Sequence, residues 1–165
     1  MLTHFENEAS QSSLSLMRAV IQRVSSSEVK VGGEIVGTIQ RGLLVLLGVA
    51  PTDGEQELEL ICKKIISARI FPDEDGKMNL SLQEIGGELL LVSQFTLYAD
   101  LKKGKRPSFT GAAEPDKAKA LYEQLTARLK EELKGKVQTG IFGAKMQVSL
   151  VNDGPVTLVL DTKEL

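Results

Sequence analysis

The sequence predicts an α+β fold, an antiparallel or mixed β-sheet with two main helices packed on it. Short apolar runs separated by Gly, Pro and Asp turns recur along most of the chain, as strands do. Two stretches, Glu55 to Ala68 and Pro115 to Leu129, instead repeat their apolar residues at helical spacing. A length of 165 residues with 42% hydrophobic content suffices for one core and is too short for two. We therefore expect a single domain over 17–165. Residues 1–16 form a polar leader, either disordered or upstream of an alternative start.

The elements follow in order. Met17 to Val24 reads as a strand, and Glu28 to Val31 and Glu34 to Ile39 as a hairpin around Gly32-Gly33, a dipeptide suited to positive φ. Gly42 to Val49 is continuously apolar, as a central strand buried on both faces would be. Pro51-Thr52-Asp53-Gly54 supplies turn and capping residues before the first helix, whose stripe is Leu58, Ile61, Cys62, Ile65 and Ile66. Pro72 stops the next segment, and an acidic turn, Asp73 to Gly76, leads to a strand over Asn79 to Leu82. Gly86-Gly87 suggests a second hairpin feeding a strand from Glu88 to Leu97. Glu114-Pro115 opens the second helix, with proline at its first position, and Gly135 ends it. Val137 to Phe142, Met146 to Asn152 and Val156 to Leu160 complete the strands.

Composition narrows the chemistry. A net charge of -2 gives no general attraction for polyanions, so any RNA contact must be local. The lone cysteine, Cys62, falls on the apolar stripe and reads as a packed, inert thiol in a reducing compartment. The one histidine, His4, lies in the leader, so a Ser-His-Asp triad, a Cys-His dyad and the common zinc sets lack their core imidazole. Asp73, Asp75 and Glu84 have the outer spacing of a calcium loop, but Met78 stands where that loop needs glycine. No phosphate-binding glycine fingerprint is present, and neither metal nor cofactor is expected. The leader has no basic residue and no signal-peptide run, which points to a cytoplasmic protein without membrane attachment.

Two polar segments end apolar runs where strands would deliver them to a rim. Ser93-Gln94-Phe95-Thr96 offers hydroxyl and N–H donors that either bond locally or face a carbonyl becoming an oxyanion. Thr96 lacks an evident base, so positioning suits it better than attack. Asn152-Asp153-Gly154-Pro155 reads on its own as a hairpin turn with a trans proline. Between them, Lys105 and Arg106 belong to a basic loop, either a solvated turn or a grip for phosphate. Phe109 is a wall for a base or simply core.

These segments, in this order, with Met17-Arg18-Ala19-Val20-Ile21-Gln22-Arg23-Val24, Gly76-Lys77-Met78-Asn79 and Arg106-Pro107-Ser108-Phe109, closely resemble the D-aminoacyl-tRNA deacylases. Those are homodimeric editing enzymes that hydrolyse D-amino acids from mischarged tRNA, and the likeness spans Met17 to about Asp161. It implies a sheet curled towards a barrel and catalysis around Ser93, Gln94, Phe95 and Thr96 that relies on the RNA. It also implies a Gly154-cis-Pro155 element entering the partner subunit's pocket, held by Arg23, with Met146 as a pocket neighbour and Asn152 in the same binding segment. The partner would be the 3′-terminal adenosine of D-aminoacyl-tRNA, with Lys105, Arg106 and Phe109 as further RNA contacts. A non-catalytic RNA-binding module, or a small-ester hydrolase using Ser93 or Thr96, are the competing readings.

Overall fold

The computed structural model describes residues 16–165, so the expectation for the leader lies outside the described residues except at Leu16. Leu16 is tied down: its N–H donates to Asp161 and its carbonyl accepts from the Tyr98 hydroxyl at 2.6 Å.

Strand β1 (Arg18–Val31) runs through both of the first two expected strands without a break. Ser27, in the polar stretch that suggested a boundary, is buried, its hydroxyl donating to the Ser149 carbonyl at 2.8 Å. Gly32 and Gly33, at φ 58° and 82°, turn the chain into β2 (Glu34–Ile39), as the dipeptide predicts. β3 (Gly42–Gly48) continues along the same edge of β1. Then come α1 (Glu55–Ser67), β4 (Phe71–Pro72), β5 (Met78–Leu80), α2 (Leu82–Ile85) and β6 (Glu88–Ser93). A 3₁₀ turn (Phe95–Tyr98), α3 (Pro115–Glu132), β7 (Val137–Thr139), β8 (Gln147–Asp161) and a last 3₁₀ turn (Thr162–Glu164) complete the chain.

The main sheet has the order β2-β1-β3-β6-β7, with β8 on the other edge of β1. β3 is central as expected, antiparallel to β1 and parallel to β6. Its apolar run is explained by two buried faces. Leu43, Val45 and Leu47 join Leu89 and Leu91 under α1 and α3, while Leu44 joins Leu90, Val92, Val24 and Ile39 on the opposite face. The sheet curls around that second cluster: a Cβ on Gly37 of β2 would lie 2.7 Å from the Thr139 carbonyl of β7. Only glycine permits this approach, which brings one end of the sheet against the other.

Both long helices form as their periodicity predicts, burying Leu58, Ile61, Cys62 and Ile65 on α1 and Leu121, Tyr122, Leu125 and Leu129 on α3. Burial, with Glu132 nearby, pushes the Cys62 thiol up to about 11, which keeps it protonated and inert.

Five expectations are corrected. Leu82 to Ile85 is helical because Ser81 and Glu84 form a reciprocal cap, hydroxyl to Glu84 N–H at 3.1 Å and carboxylate to Ser81 N–H at 3.3 Å. Gly86 (φ 62°) ends that helix, and β6 pairs in parallel with β3 and β7, so no hairpin forms there. β6 stops at Ser93 and the chain winds into a 3₁₀ turn where a strand to Leu97 was expected, and β7 ends at Thr139. The two final strands are one, β8, which follows β1 for its whole length.

Candidate active site

β3 and β6 run in parallel, and their last paired residues are Leu47 and Ser93. Beyond that pair the ladder has no further partner, so the chain must turn. Gln94 makes one last bond, N–H to the Leu47 carbonyl at 2.7 Å, and leaves the strand conformation at φ -146°, ψ 78°. The 3₁₀ ladder begins with Leu97 N–H to the Gln94 carbonyl at 3.3 Å. The Phe95 and Thr96 N–H groups precede that first bond, the position at which a helical turn leaves its donors open to a ligand.

Beside them is a cavity of about 570 Å³, walled by Ser93, Gln94, Phe95, Phe109, Tyr122 and Phe142 among others. Phe95, 58% exposed, meets Phe109 edge to face with centroids 5.0 Å apart. Phe109 is thus a wall of the cavity. The Tyr122 hydroxyl donates to the Leu91 carbonyl at 3.0 Å, and burial pushes its pKa up to about 12, so it is a fixed neutral wall. Thr96 lies outside the lining, and its hydroxyl accepts from the Gln94 amide. Glu114, the residue just before α3, also lines the cavity.

The second segment is built quite differently. Along β8 the pairing with β1 jumps from Val24–Asn152 to Gln22–Thr157, so four residues, Asp153 to Val156, bulge out opposite Arg23. The Asn152 side chain closes the base of this bulge. Its oxygen accepts from Val156 N–H at 2.7 Å and its nitrogen donates to the Val156 carbonyl at 3.2 Å, replacing the bonds of a ladder. Arg23 Nε donates to the Asp153 carbonyl at 2.8 Å, with the Asp153 carboxylate 3.4 Å away, and its Nη1 donates to the Ile70 carbonyl at 2.6 Å. Gly154 and Pro155, joined by a cis peptide bond, stand exposed at the tip. The hairpin expected from Asp-Gly is therefore replaced by a side-chain-braced protrusion.

The structure brings Ser93, Gln94, Phe95 and Phe109 together at the cavity, and Arg23, Asn152, Gly154 and Pro155 together at the bulge. These two groups do not line one cavity within the chain. Met146 is not in the lining either; it packs on the cluster inside the curled sheet, close enough to Gly140 that a Cβ there would meet its sulfur at 2.5 Å. Lys105 and Arg106 sit on an exposed loop away from the lining. Tyr122, Phe142 and Glu114 were not read from the sequence as site residues. In sequence they are a helix-stripe aromatic, a strand residue and a helix cap, and only the packing of α3 over β6 makes them walls.

A family described as D-Tyr-tRNA(Tyr) deacylase matches residues 20–161. The chain belongs to this family. It is 60% identical over 147 residues, 89% of this chain and 100% of the relative, to a protein named D-aminoacyl-tRNA deacylase from Desulfatibacillum aliphaticivorans. It is 59% identical over 149 residues, 90% of this chain and 99% of the relative, to one of the same name from Thermosipho africanus (strain TCF52B). Among solved structures, one named c-Myc DNA Unwinding Element Binding Protein superposes with a TM-score of 0.82 at 41% identity, covering 87% of this chain and 97% of that one. A second, described as a probable eukaryotic D-amino acid tRNA deacylase, has a TM-score of 0.76 at 18% identity over 88% and 98%, a likeness of fold. The family that the sequence resembles is therefore the family to which the chain belongs.

Proposed function

We infer that the protein hydrolyses the ester of D-aminoacyl-tRNA, and of glycyl-tRNA formed in error on tRNA(Ala), while leaving L-aminoacyl-tRNA intact. The observation that carries this reading is the 3₁₀ turn that starts at Phe95, itself a wall of a mostly apolar cavity with aromatic sides, with the Phe95 and Thr96 N–H groups ahead of its first bond. The cavity takes the terminal adenosine, and the N–H pair faces the carbonyl oxygen of the ester. Water adds to that carbonyl, the acyl C–O bond breaks, and the ribose oxygen leaves with a proton. The residues around Thr96 include no histidine, and the Thr96 hydroxyl is already engaged by Gln94, so the neighbouring 2′-OH of the ribose helps to activate the water.

Handedness is judged by exclusion. Two protomers assemble so that the Gly154-Pro155 tip of one enters the cavity of the other, its carbonyls filling the space an L side chain requires. Arg23 and Asn152 hold that tip, and Met146 contributes from behind. Glycine has no side chain to exclude and is cleaved as well. The enzyme acts in the cytoplasm, without cofactor or metal, and no helix among the described residues is long and apolar enough to cross a membrane.

Purified protein incubated with matched D- and L-tyrosyl-tRNA provides the test. The D ester should disappear at least about a hundredfold faster. Similar rates on both would remove the exclusion reading, and no cleavage of either would remove the activity.

A further inference from the structure

A second cavity, of about 650 Å³, shares Thr110 with the first and takes Gly111 beside it as a further wall. Its walls include Arg18, Pro51, Tyr98, Asp100, Leu101 and Lys102. At its edge the chain makes a loop pinned at the base, where Asp100 and Ser108 exchange N–H···O bonds of 2.8 and 2.9 Å. Within that loop stand Lys102, Lys103, Lys105 and Arg106, four cations in five residues of a chain whose net charge is -2. All four are exposed, and none forms a salt bridge among the described residues. Such a concentration repels itself and draws anions to this edge of the molecule.

We propose that the second cavity receives the nucleotide preceding the terminal adenosine, and that this loop holds the phosphates of the single-stranded end as it leaves the enzyme. The proposal rests on the editing reading above. An adenosine in the first cavity carries a 5′ phosphodiester that must lead out, and the second cavity, with Lys102 in its wall, adjoins the first at Thr110. The second cavity is poorly equipped to read a base. Its Tyr98 hydroxyl is held between the carbonyls of Leu16 (2.6 Å) and Gly48 (3.1 Å), and the Arg18 guanidinium lies over its ring, 5.1 Å from the centroid. The ring is therefore covered and cannot serve as a stacking platform of the kind single-strand binders use. Grip comes from charge, which suits an end whose last three nucleotides are the same in every tRNA.

The test is the Lys102→Glu/Lys103→Glu double variant, assayed on D-tyrosyl-tRNA and on 3′-D-tyrosyl-adenosine, which lacks every preceding nucleotide. On tRNA, kcat/KM should fall about thirtyfold, through KM, and the slope of log(kcat/KM) against log[salt] should shrink by about 1.4, two contacts at roughly 0.7 each. On the adenosine ester the change should stay below about twofold. Equal losses on both esters, or no loss on tRNA, would overturn the proposal; the second result would leave the loop to an acidic protein partner. If the short ester turns over too slowly to compare, the salt slope decides, and an unchanged slope is fatal. Should the unaltered protein cleave neither ester, the editing reading itself fails; should it cleave tRNA as fast as the variant does, only this inference fails.

Discussion

The rim at the end of β6 and the bulge in β8 are both made where a strand loses its ladder, yet they have opposite shapes. At Ser93 the partner strand runs out, and the chain folds inward to wall a cavity with its own residues. At Asp153 the partner strand continues, and Asp153, Gly154 and Pro155 are pushed outward, braced by Arg23 and Asn152, before Val156 turns back into the core. The first is concave and built within one chain. The second is convex, with its tip exposed to whatever approaches. The proposed assembly would join the two, seating the tip of one copy in the cavity of another. The lesson is that these regions should fail in different ways.

The largest effect should come from the substrate. Replacing the terminal ribose by its 2′-deoxy form should lower kcat about a thousandfold, since the cavity supplies donors but no evident base. Single-turnover rates on the two esters measure this. Unchanged rates would mean that the concave region holds its own catalytic group, with Glu114, the acidic residue of the lining, the first place to look.

Arg23→Ala should come next. It leaves the carbonyls of Asp153 and Ile70 without their donor and lets the convex region drift, at about 2 to 3 kcal/mol of stability for a charged hydrogen-bond donor lost from a half-buried site. Deacylation of D-tyrosyl-tRNA should fall about a hundredfold, and the preference over the L ester should shrink more than stability does. Asp153→Ala should do little, because Arg23 bonds the backbone carbonyl there more closely than the carboxylate. If Asp153→Ala matched Arg23→Ala, the ion pair and not the backbone brace would hold the tip.

A smaller change is expected from Thr96→Ala. Its hydroxyl lies off the cavity lining and accepts from Gln94, so its removal should cost less than about tenfold in kcat, by loosening Gln94. Complete loss in a folded variant would revive a threonine nucleophile.

How legible all this was in the sequence depended on what kind of interaction made each element. The apolar run of β3 and the stripes of α1 and α3 declare themselves because burial leaves a period. The hairpin at Gly32-Gly33 does so because positive φ selects glycine. Short α2 was hidden by a reciprocal cap, Ser81 with Glu84, in a segment too short to show a period. The continuity of β8 was hidden more deeply, since an asparagine side chain there imitates a backbone ladder and Asp-Gly ordinarily means a turn. At the cavity, Ser93 to Phe95 stood out as a polar segment ending an apolar run, while Phe109 stood open between wall and core until its place in the lining was seen. Tyr122 and Phe142 were not, because a wall contributed by the covering helix and the following loop looks like core until the cavity beside it exists.

A control belonging to neither region sharpens the comparison. Asp53, only 2% exposed before α1, has one oxygen bonded by Ala50 N–H at 2.6 Å and the other without a partner. Burial raises its pKa from 3.8 to about 6, against the lowering bond from Ala50; Glu57 adds to the rise, while the Met17 backbone and Lys117 oppose it. In this window the folded chain holds a proton that the unfolded chain has released, so stability falls as pH rises from about 4 through 6, by about 3 kcal/mol in all. Asp53→Asn keeps the acceptor for Ala50 and cannot ionise. The stability difference between the two proteins, from urea melts at pH 4.5 and 7.5, should therefore shift in the variant's favour at the higher pH, with other titrations cancelling. Deacylation at 25 °C and pH 7.5 should be unchanged. A loss of activity in this variant would mean that catalysis follows the stability of the frame, and the contrast between the cavity and the bulge would lose its force.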